Sequence, residues 1–195
     1  SMFTEDFNQH WNQIAPDIEG RWDSVESLRD QYNWDRLDKT YSYAKQNGLV
    51  FLQYRLIWGS NHSAWVATIP AAELALEIEE WIQEYCQRYP ATDVLEVVGE
   101  AIQGHLPSNQ AYKAFGNKWI ERVYQLARRH CPNSALIFSD YHVLRYQTEE
   151  FLELAKPLAK AGLIDGIGIE AHQIEDMSAI DIQSALDTLW YELQV

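Results

Sequence analysis

Apolar runs that suit buried β-strands alternate along this chain with stretches of helical periodicity. Strands are predicted at residues 49–58, 94–99, 135–139 and 165–170. Amphipathic helices are predicted at residues 33–48, 70–90, 114–130, 148–162 and 178–193, and Pro157 is expected to break the fourth of them. Strands that alternate with helices in this way are typical of a parallel sheet covered by helices.

A barrel and an open doubly wound sheet both satisfy this alternation. No glycine-rich nucleotide-binding motif follows any predicted strand, so the usual dinucleotide and P-loop sites are not indicated. In a barrel, functional residues collect at the carboxyl ends of the strands. Those ends carry Trp58, Glu100, Asp140–Tyr141 and Glu170–His172.

Glu100 stands directly after a strand that should be buried on both faces and that ends at Gly99. A carboxyl flanked by apolar walls has its charged form disfavoured, which suits a general acid. The alternative interpretation is that Glu100 caps the following helix or pairs with an arginine. If the first interpretation holds, Glu100 should line a cleft with Trp58, Tyr141 and His172.

Composition narrows the class of ligand. The 195 residues carry a net charge of −14 and have a pI near 4.7, which disfavours nucleic acid and anionic membranes and favours a neutral ligand. No apolar run reaches the roughly 18 residues of a membrane-spanning helix. The eight Trp and eleven Tyr residues either fill a large core or line a groove in which flat rings stack on sugars or bases.

Two cysteines, Cys86 and Cys131, lie near the ends of predicted helices and lack the spacing of a metal site. We expect two buried free thiols, with a disulfide as the alternative. No metal ion and no cofactor are expected.

Six segments resemble, in order and over nearly the whole chain, motifs of glycoside hydrolase family 10, the retaining β-1,4-xylanases. They are NQIAPDIEGRWDS, NWDRLDKTYSYAKQNG, LQYRLIWGSNHSAWV, VLEVVGEAI, SALIFSDYH and GLIDGIGIEAH. The resemblance implies a TIM-type (β/α) barrel, of which residues 1–195 form a single, partial domain covering roughly strands two to six. It also implies that Glu100 is the general acid/base and that the substrate-binding residues are Arg21, Tyr54, Trp58, Trp65, Tyr141, Glu170 and His172.

The chain departs from the family pattern near the bond to be cleaved. Gly99 replaces an asparagine, Tyr54 and Gly59 replace two histidines, Arg21 replaces a lysine, and Glu170 replaces a glutamine.

The nucleophile of this family belongs to a seventh strand and was not found in the chain. Glu192, in the closing YELQV, continues a helical pattern, so the seventh strand is expected beyond Val195. Residues 3–10 resemble the tail of a first helix. A substitute nucleophile at Glu170 is the less favoured alternative.

The resemblance predicts a xylanase-type glycoside hydrolase that acts with retention on β-1,4-linked xylan or a related plant polysaccharide. Secretion or a periplasmic location is implied, although no signal peptide is recognisable in the chain. The rival hypothesis is a non-catalytic carbohydrate-binding relative, or an inactive barrel fragment that forms homodimers through its open edges. A third alternative is an open α/β domain with an unrelated small-molecule site.

Overall fold

Parallel strands in chain order form the centre of the molecule. The structure, a computed structural model, describes residues 7–60, 62–105 and 107–195. The strands described there are β1 (Gln13–Ile14), β2 (Val50–Gln53), β3 (Val94–Gly99), β4 (Ala135–Tyr141) and β5 (Gly166–Glu170). They pair side by side in the order β1-β2-β3-β4-β5, and every pairing is parallel.

This sequential order confirms the predicted neighbours and is that of a (β/α) barrel opened along its length. A doubly wound sheet, which also satisfies the alternation, has strands out of chain order. The third alternative from the sequence, an open α/β domain of that type, is therefore wrong for the described residues.

Helices connect the strands and cover one side of the sheet. They are α1 (Phe7–His10), α2 (Trp22–Val25), α3 (Asp35–Gln46), α4 (Ala71–Arg88), α5 (Asn109–Phe115), α6 (Trp119–His130), α7 (Thr148–Lys160) and α8 (Ala179–Leu193). The prediction that Pro157 breaks its helix is wrong, because α7 runs through it. The buried residues Phe151, Leu152, Ala155 and Leu158 hold both halves of α7 against the core, which outweighs the hydrogen bond lost at the proline.

Strand β2 is shorter than the sequence predicted. It ends at Gln53, and Arg55 then takes a left-handed backbone conformation with φ of 49°. The chain returns to the sheet at Ile57, which bridges Val98 of β3. The interruption turns the Arg55 side chain into the interior, where it is only 1% exposed.

Much of the aromatic content fills the core. The rings of Tyr32, Trp34, Trp81 and Trp22 form a continuous stack, with centroids 5.5, 5.7 and 6.0 Å apart in that order. Trp81 is fully buried, and its Nε1 donates to the carbonyl of Leu56 at 3.0 Å. Core packing, the first of the two interpretations of the aromatic richness, thus accounts for these rings.

The expectation of two free thiols is wrong, because Cys86 and Cys131 form a disulfide. Cys86 lies in the last turn of α4, and Cys131 immediately follows α6. These helices pack side by side and bring the two Cα atoms to 5.1 Å, within the range that a disulfide requires. The pairing depends on helix packing, which the spacing of 45 residues does not reveal.

Among the described residues, none of the helices combines the length and the apolar character needed to cross a bilayer.

Candidate functional site

The site lies where three neighbouring strands end at the same edge of the sheet. Glu100 directly follows β3, Asp140 is the penultimate residue of β4, and Glu170 is the last residue of β5. Because the strands are parallel and adjacent, their carboxyl ends meet at one rim.

Arg55 is the centre of this rim and binds three carboxylates, each through a different nitrogen. Its Nε donates to Glu96 Oε1 at 2.8 Å, its Nη1 donates to Glu100 Oε1, and its Nη2 donates to Glu170 Oε1. We call these four residues the Arg55 cluster. The cluster joins the interrupted end of β2 to β3 and, across β4, to the end of β5.

The aromatic rings beside Arg55 complete its environment. Its guanidinium carbon lies 4.3 Å from the ring centroid of Tyr54 and 4.7 Å from that of Trp58, distances at which a cation is attracted to a ring face. The guanidinium carbon of Arg21 lies 5.5 Å from the ring centroid of Trp58, and Arg21 pairs with Asp17 at 2.6 Å. Tyr54, Trp58 and Arg21 therefore gather around the rim that also holds Glu100.

The packing of Arg55 explains why residue 99 is a glycine. A Cβ atom added there would overlap Cδ and Nε of Arg55. The Arg55 side chain therefore fills the space that a side chain at residue 99 would occupy.

More negative than positive charge is buried in the Arg55 cluster. Burial, together with repulsion by Glu100, Glu96 and Asp140, raises the pKa of Glu170 to about 7 against the attraction of Arg55. Burial likewise raises the pKa of Glu96, which also accepts from the Ser139 hydroxyl at 2.5 Å. One guanidinium does not compensate three carboxylates in a low-dielectric site, so protonation within the cluster is favoured.

A second set of contacts holds the loop after Glu100. His105 faces Asp140 Oδ1 with Nδ1 at 2.5 Å and Gln147 Oε1 with Nε2 at 2.8 Å. Asp140 also accepts from the backbone N–H of Ile102 at 2.9 Å. The His105 ring stacks on Tyr141 with centroids 3.6 Å apart. This set fixes Tyr141 and the backbone two residues beyond Glu100.

The remaining predicted residues are more loosely related to the cluster. Tyr141 is the last residue of β4, next to Asp140, and burial together with the charges of Glu100, Asp140 and Glu170 raises its pKa. His172 is exposed, two residues beyond Glu170. Trp65 contacts a different group: its Nε1 donates to the carbonyl of Glu26 at 3.3 Å, and its ring packs edge-on against Trp22.

Of the two interpretations of Glu100, the structure contains a pairing with an arginine, although at the strand rim rather than beneath a helix. Sequence reasoning missed Arg55, Glu96 and His105. A signal was present for the first two, because a charged residue within an apolar strand-like run needs a partner when it is buried. Nothing local to the sequence identifies that partner.

Among the described residues, Glu26, Asp30 and Glu77 are close enough together to surround a metal ion. Two of them already have partners, because Glu26 accepts from Trp22 Nε1 at 2.7 Å and Glu77 accepts from Arg29 Nε at 3.0 Å. The proximity of the three carboxyls is therefore accounted for by contacts within the protein, in the core and in the ion pairs at the surface.

Similarity to known proteins agrees with this architecture. Residues 2–191 match the family described as glycosyl hydrolase family 10. The chain is 45% identical over 188 residues to endo-1,4-beta-xylanase B of Cellvibrio japonicus, and the match covers 96% of this chain.

Solved structures show the same fold at lower identity. Xylanase 10B from Thermotoga petrophila, in complex with xylobiose, superposes with a TM-score of 0.86 at 22% identity over 95% of this chain and 59% of that chain. A mutant structure in complex with xylotriose superposes with a TM-score of 0.87 at 24% identity, over 95% of this chain and 61% of that one.

The chain spans 31% of the Cellvibrio japonicus relative and about three fifths of these solved chains. The match over residues 2–191 and the strand order agree on the family and on its TIM-barrel fold. The chain belongs to glycosyl hydrolase family 10.

Proposed function

We propose that the protein is a xylanase-type glycoside hydrolase that cleaves β-1,4-linked xylan or a related plant polysaccharide with retention, and that Glu100 is its general acid/base. The observation that carries the proposal is the position of Glu100 at the end of β3, on the rim shared with Asp140 and Glu170, in a chain 45% identical to a xylanase. Xylobiose and xylotriose in the related structures support an oligosaccharide ligand.

The chemistry of Glu100 depends on which of its oxygens is accessible. Arg55 occupies Oε1, and Oε2 has no partner among the described contacts. This second oxygen is the one that we assign to the glycosidic oxygen in the first step and to water in the second.

A retaining reaction needs a second carboxyl as nucleophile, about 5–5.5 Å from the first. We place that nucleophile in the part of the family barrel that these 195 residues do not span, rather than at Glu170. Glu170 shares Arg55 with Glu100, and the guanidinium lies between the two carboxylates where the sugar ring would have to enter.

The test is turnover of xylan and of an aryl β-xyloside by the barrel completed with the nucleophile strand, by its Glu100→Gln variant and by a Glu153→Gln control. The 195 residues alone, which lack the assigned nucleophile, are expected to hydrolyse these substrates poorly or not at all. Glu153 is exposed on α7, so its replacement should leave the rate unchanged. Loss of an acid/base that works together with a nucleophile is expected to lower the rate by several powers of ten. Equal rates in the completed barrel and its Glu100→Gln variant would refute the assignment.

A second candidate function is binding without turnover, with self-association through the open edge. It is favoured by the apolar surface beside β5, where Trp190 is 70% and Tyr191 is 75% exposed. Xylotriose binding without hydrolysis even by the barrel completed with the nucleophile strand, together with a dimer of this chain in sedimentation, would support it.

We also infer export from the reducing cytoplasm, in agreement with the disulfide between Cys86 and Cys131. Thiol titration of the unfolded protein, isolated without reductant, should find no free cysteine. Two free thiols would contradict this inference.

A further inference from the structure

The Arg55 cluster contains more acidic groups than its single cation can neutralise. Glu96, Glu100 and Glu170 each bind one nitrogen of Arg55, and their side chains are 6%, 9% and 17% exposed. Full ionisation would leave an excess of two negative charges in a poorly solvated site. Proton uptake by the cluster lowers that cost: Glu100 carries one proton when it acts as the general acid, and a second proton brings the net charge of the cluster to zero.

Glu170 is the member of the cluster best placed to carry this proton. Glu96 already has two donors, Arg55 Nε at 2.8 Å and the Ser139 hydroxyl at 2.5 Å, and both favour its ionised form. Glu170 has one, Arg55 Nη2, which binds Oε1. Its Oε2 has no partner among the described contacts, and its side chain is the most exposed of the three carboxyls.

The groups that face Glu170 come from β3, β4 and the chain after β2, and they include three carboxyls and one cation. Burial, together with repulsion by the carboxyls, raises the pKa of Glu170 to about 7 in spite of Arg55. The charged and titratable groups around it are Arg55 and Tyr54 after β2, Glu96 on β3 and Glu100 directly after it, Asp140 and Tyr141 on β4, and His172, two residues further along the chain.

We propose that Glu170 binds the sugar as a neutral carboxylic acid, accepting from Arg55 through Oε1 and donating the O–H on Oε2 to a sugar hydroxyl. This inference rests on the proposed function, because it assigns the oligosaccharide to this rim. Arg55 is the positioning residue: it orients Oε1 inward and so turns Oε2 toward the ligand.

Ionisation of Glu170 removes the donor and places a further negative charge in the site, so affinity falls as pH rises. With a carboxyl that titrates near 7, about nine tenths are protonated at pH 6 and about one tenth at pH 8. Since apparent affinity follows the fraction of the binding form, we expect roughly a tenfold weaker affinity at pH 8 than at pH 6.

The Glu170→Gln variant separates this mechanism from other pH effects. A glutamine keeps an acceptor for Arg55 Nη2 and supplies a permanent N–H donor in place of the O–H. We expect its affinity for xylotriose to match that of the unaltered chain at pH 6 and to stay constant up to pH 8.5. The Glu153→Gln control should keep the tenfold decrease.

Two measurements test whether Glu170 binds the sugar in its neutral form. The first is isothermal titration calorimetry of the chain and both variants with xylotriose from pH 5.5 to 8.5 at constant ionic strength. The second is a pH titration of the glutamate carboxyl ¹³C resonances without sugar, in which the Glu170 resonance is the one missing from Glu170→Gln.

A Glu170 resonance that titrates near the ordinary value of about 4.3 overturns the inference, whatever the sugar does. So does an affinity independent of pH, or one that falls equally in Glu170→Gln; in both cases the proposed function still stands. No binding by the chain or the variants at any pH overturns the proposed function and this inference together, while the carboxyl titration still reports separately on the state of Glu170.

Discussion

The central strand and the last strand of the described sheet each bring a glutamate to the rim, and their surroundings are very different. Strand β3 reads VLEVVG before Glu100 and has five of its six residues buried, whereas β5 reads GIGIE and has every residue half-buried. Strand β3 pairs with β2 and β4, and within the described residues β5 pairs with β4 alone. Burial at these strands follows the number of neighbouring strands.

The helices beside the two strands differ in the same way. Helix α4 buries Leu74, Ile78, Trp81 and Ile82 and is joined to the end of α6 by the disulfide. Helix α8 buries only Leu189 and Leu193, and with β5 it borders a groove of about 260 Å³ lined by apolar side chains. The centre of the molecule is therefore expected to respond strongly to substitutions that the edge tolerates.

The largest contrast should come from replacing one tryptophan in each region with alanine. Trp81→Ala removes a fully buried ring and its hydrogen bond to Leu56, which should lower the free energy of unfolding by about 3–5 kcal/mol. Trp190→Ala, on the exposed face of α8, should change it by less than about 0.5 kcal/mol. Urea denaturation of both variants measures the difference, and equal losses would show that the edge is as well packed as the centre.

Next in size is the effect of removing the cation that links the two strands. Arg55→Met leaves Glu96, Glu100 and Glu170 unpaired, and loss of one partner of a buried ion pair costs about 3–5 kcal/mol at neutral pH.

The loss in Arg55→Met should shrink as pH falls, because protonation of the carboxyls removes the uncompensated charge. Unfolding measured at pH 7.5 and pH 5 tests the sign, and a loss that grows toward pH 5 would contradict it. The matched control is Arg129→Met, since its pairing with Glu79 is exposed and should contribute at most about 1 kcal/mol at either pH.

The smallest predicted effect compares one glycine on each strand. Gly99→Ala places a Cβ onto the Arg55 side chain, and such overpacking costs about 1–3 kcal/mol. In Gly166→Ala the nearest atom would be Cγ2 of Ile137, at an ordinary 3.6 Å, so the expected change is within about 0.5 kcal/mol. Thermal unfolding measures the stability of the two variants. A larger loss of stability in Gly166→Ala than in Gly99→Ala would contradict the prediction.

Parts of the fold followed from the chain pattern because each strand and helix has its own local signal. The strands β3 and β4 were predicted with nearly their observed bounds, and Glu192 was correctly assigned to the closing helix. The errors concern features that depend on distant partners. Pro157 stays within α7 because the core holds both halves of that helix, and β2 ends early because Arg55 turns inward.

For the candidate site, the sequence identified which residues stand at strand ends but not how they interact. Glu100 and Glu170 were located correctly on one rim, since parallel strands in chain order bring their carboxyl ends together. Their shared partner Arg55 was missed, as was the contact of His105 with Asp140. The pattern of apolar residues in one strand predicts which side of the sheet a residue faces. It does not predict which side chain from another strand will contact that residue.

By itself, the sequence determined the alternation of strands and helices, the parallel sheet and the family, since these depend on local periodicity and on motifs in register. Only the tertiary structure decided which charges and which cysteines meet. Arg55 is 41 residues from Glu96 and 115 from Glu170, and the two cysteines are 45 residues apart. Contacts over such separations depend on how the elements pack, because the free energy of burial selects the partners only once the sheet and its helices have come together.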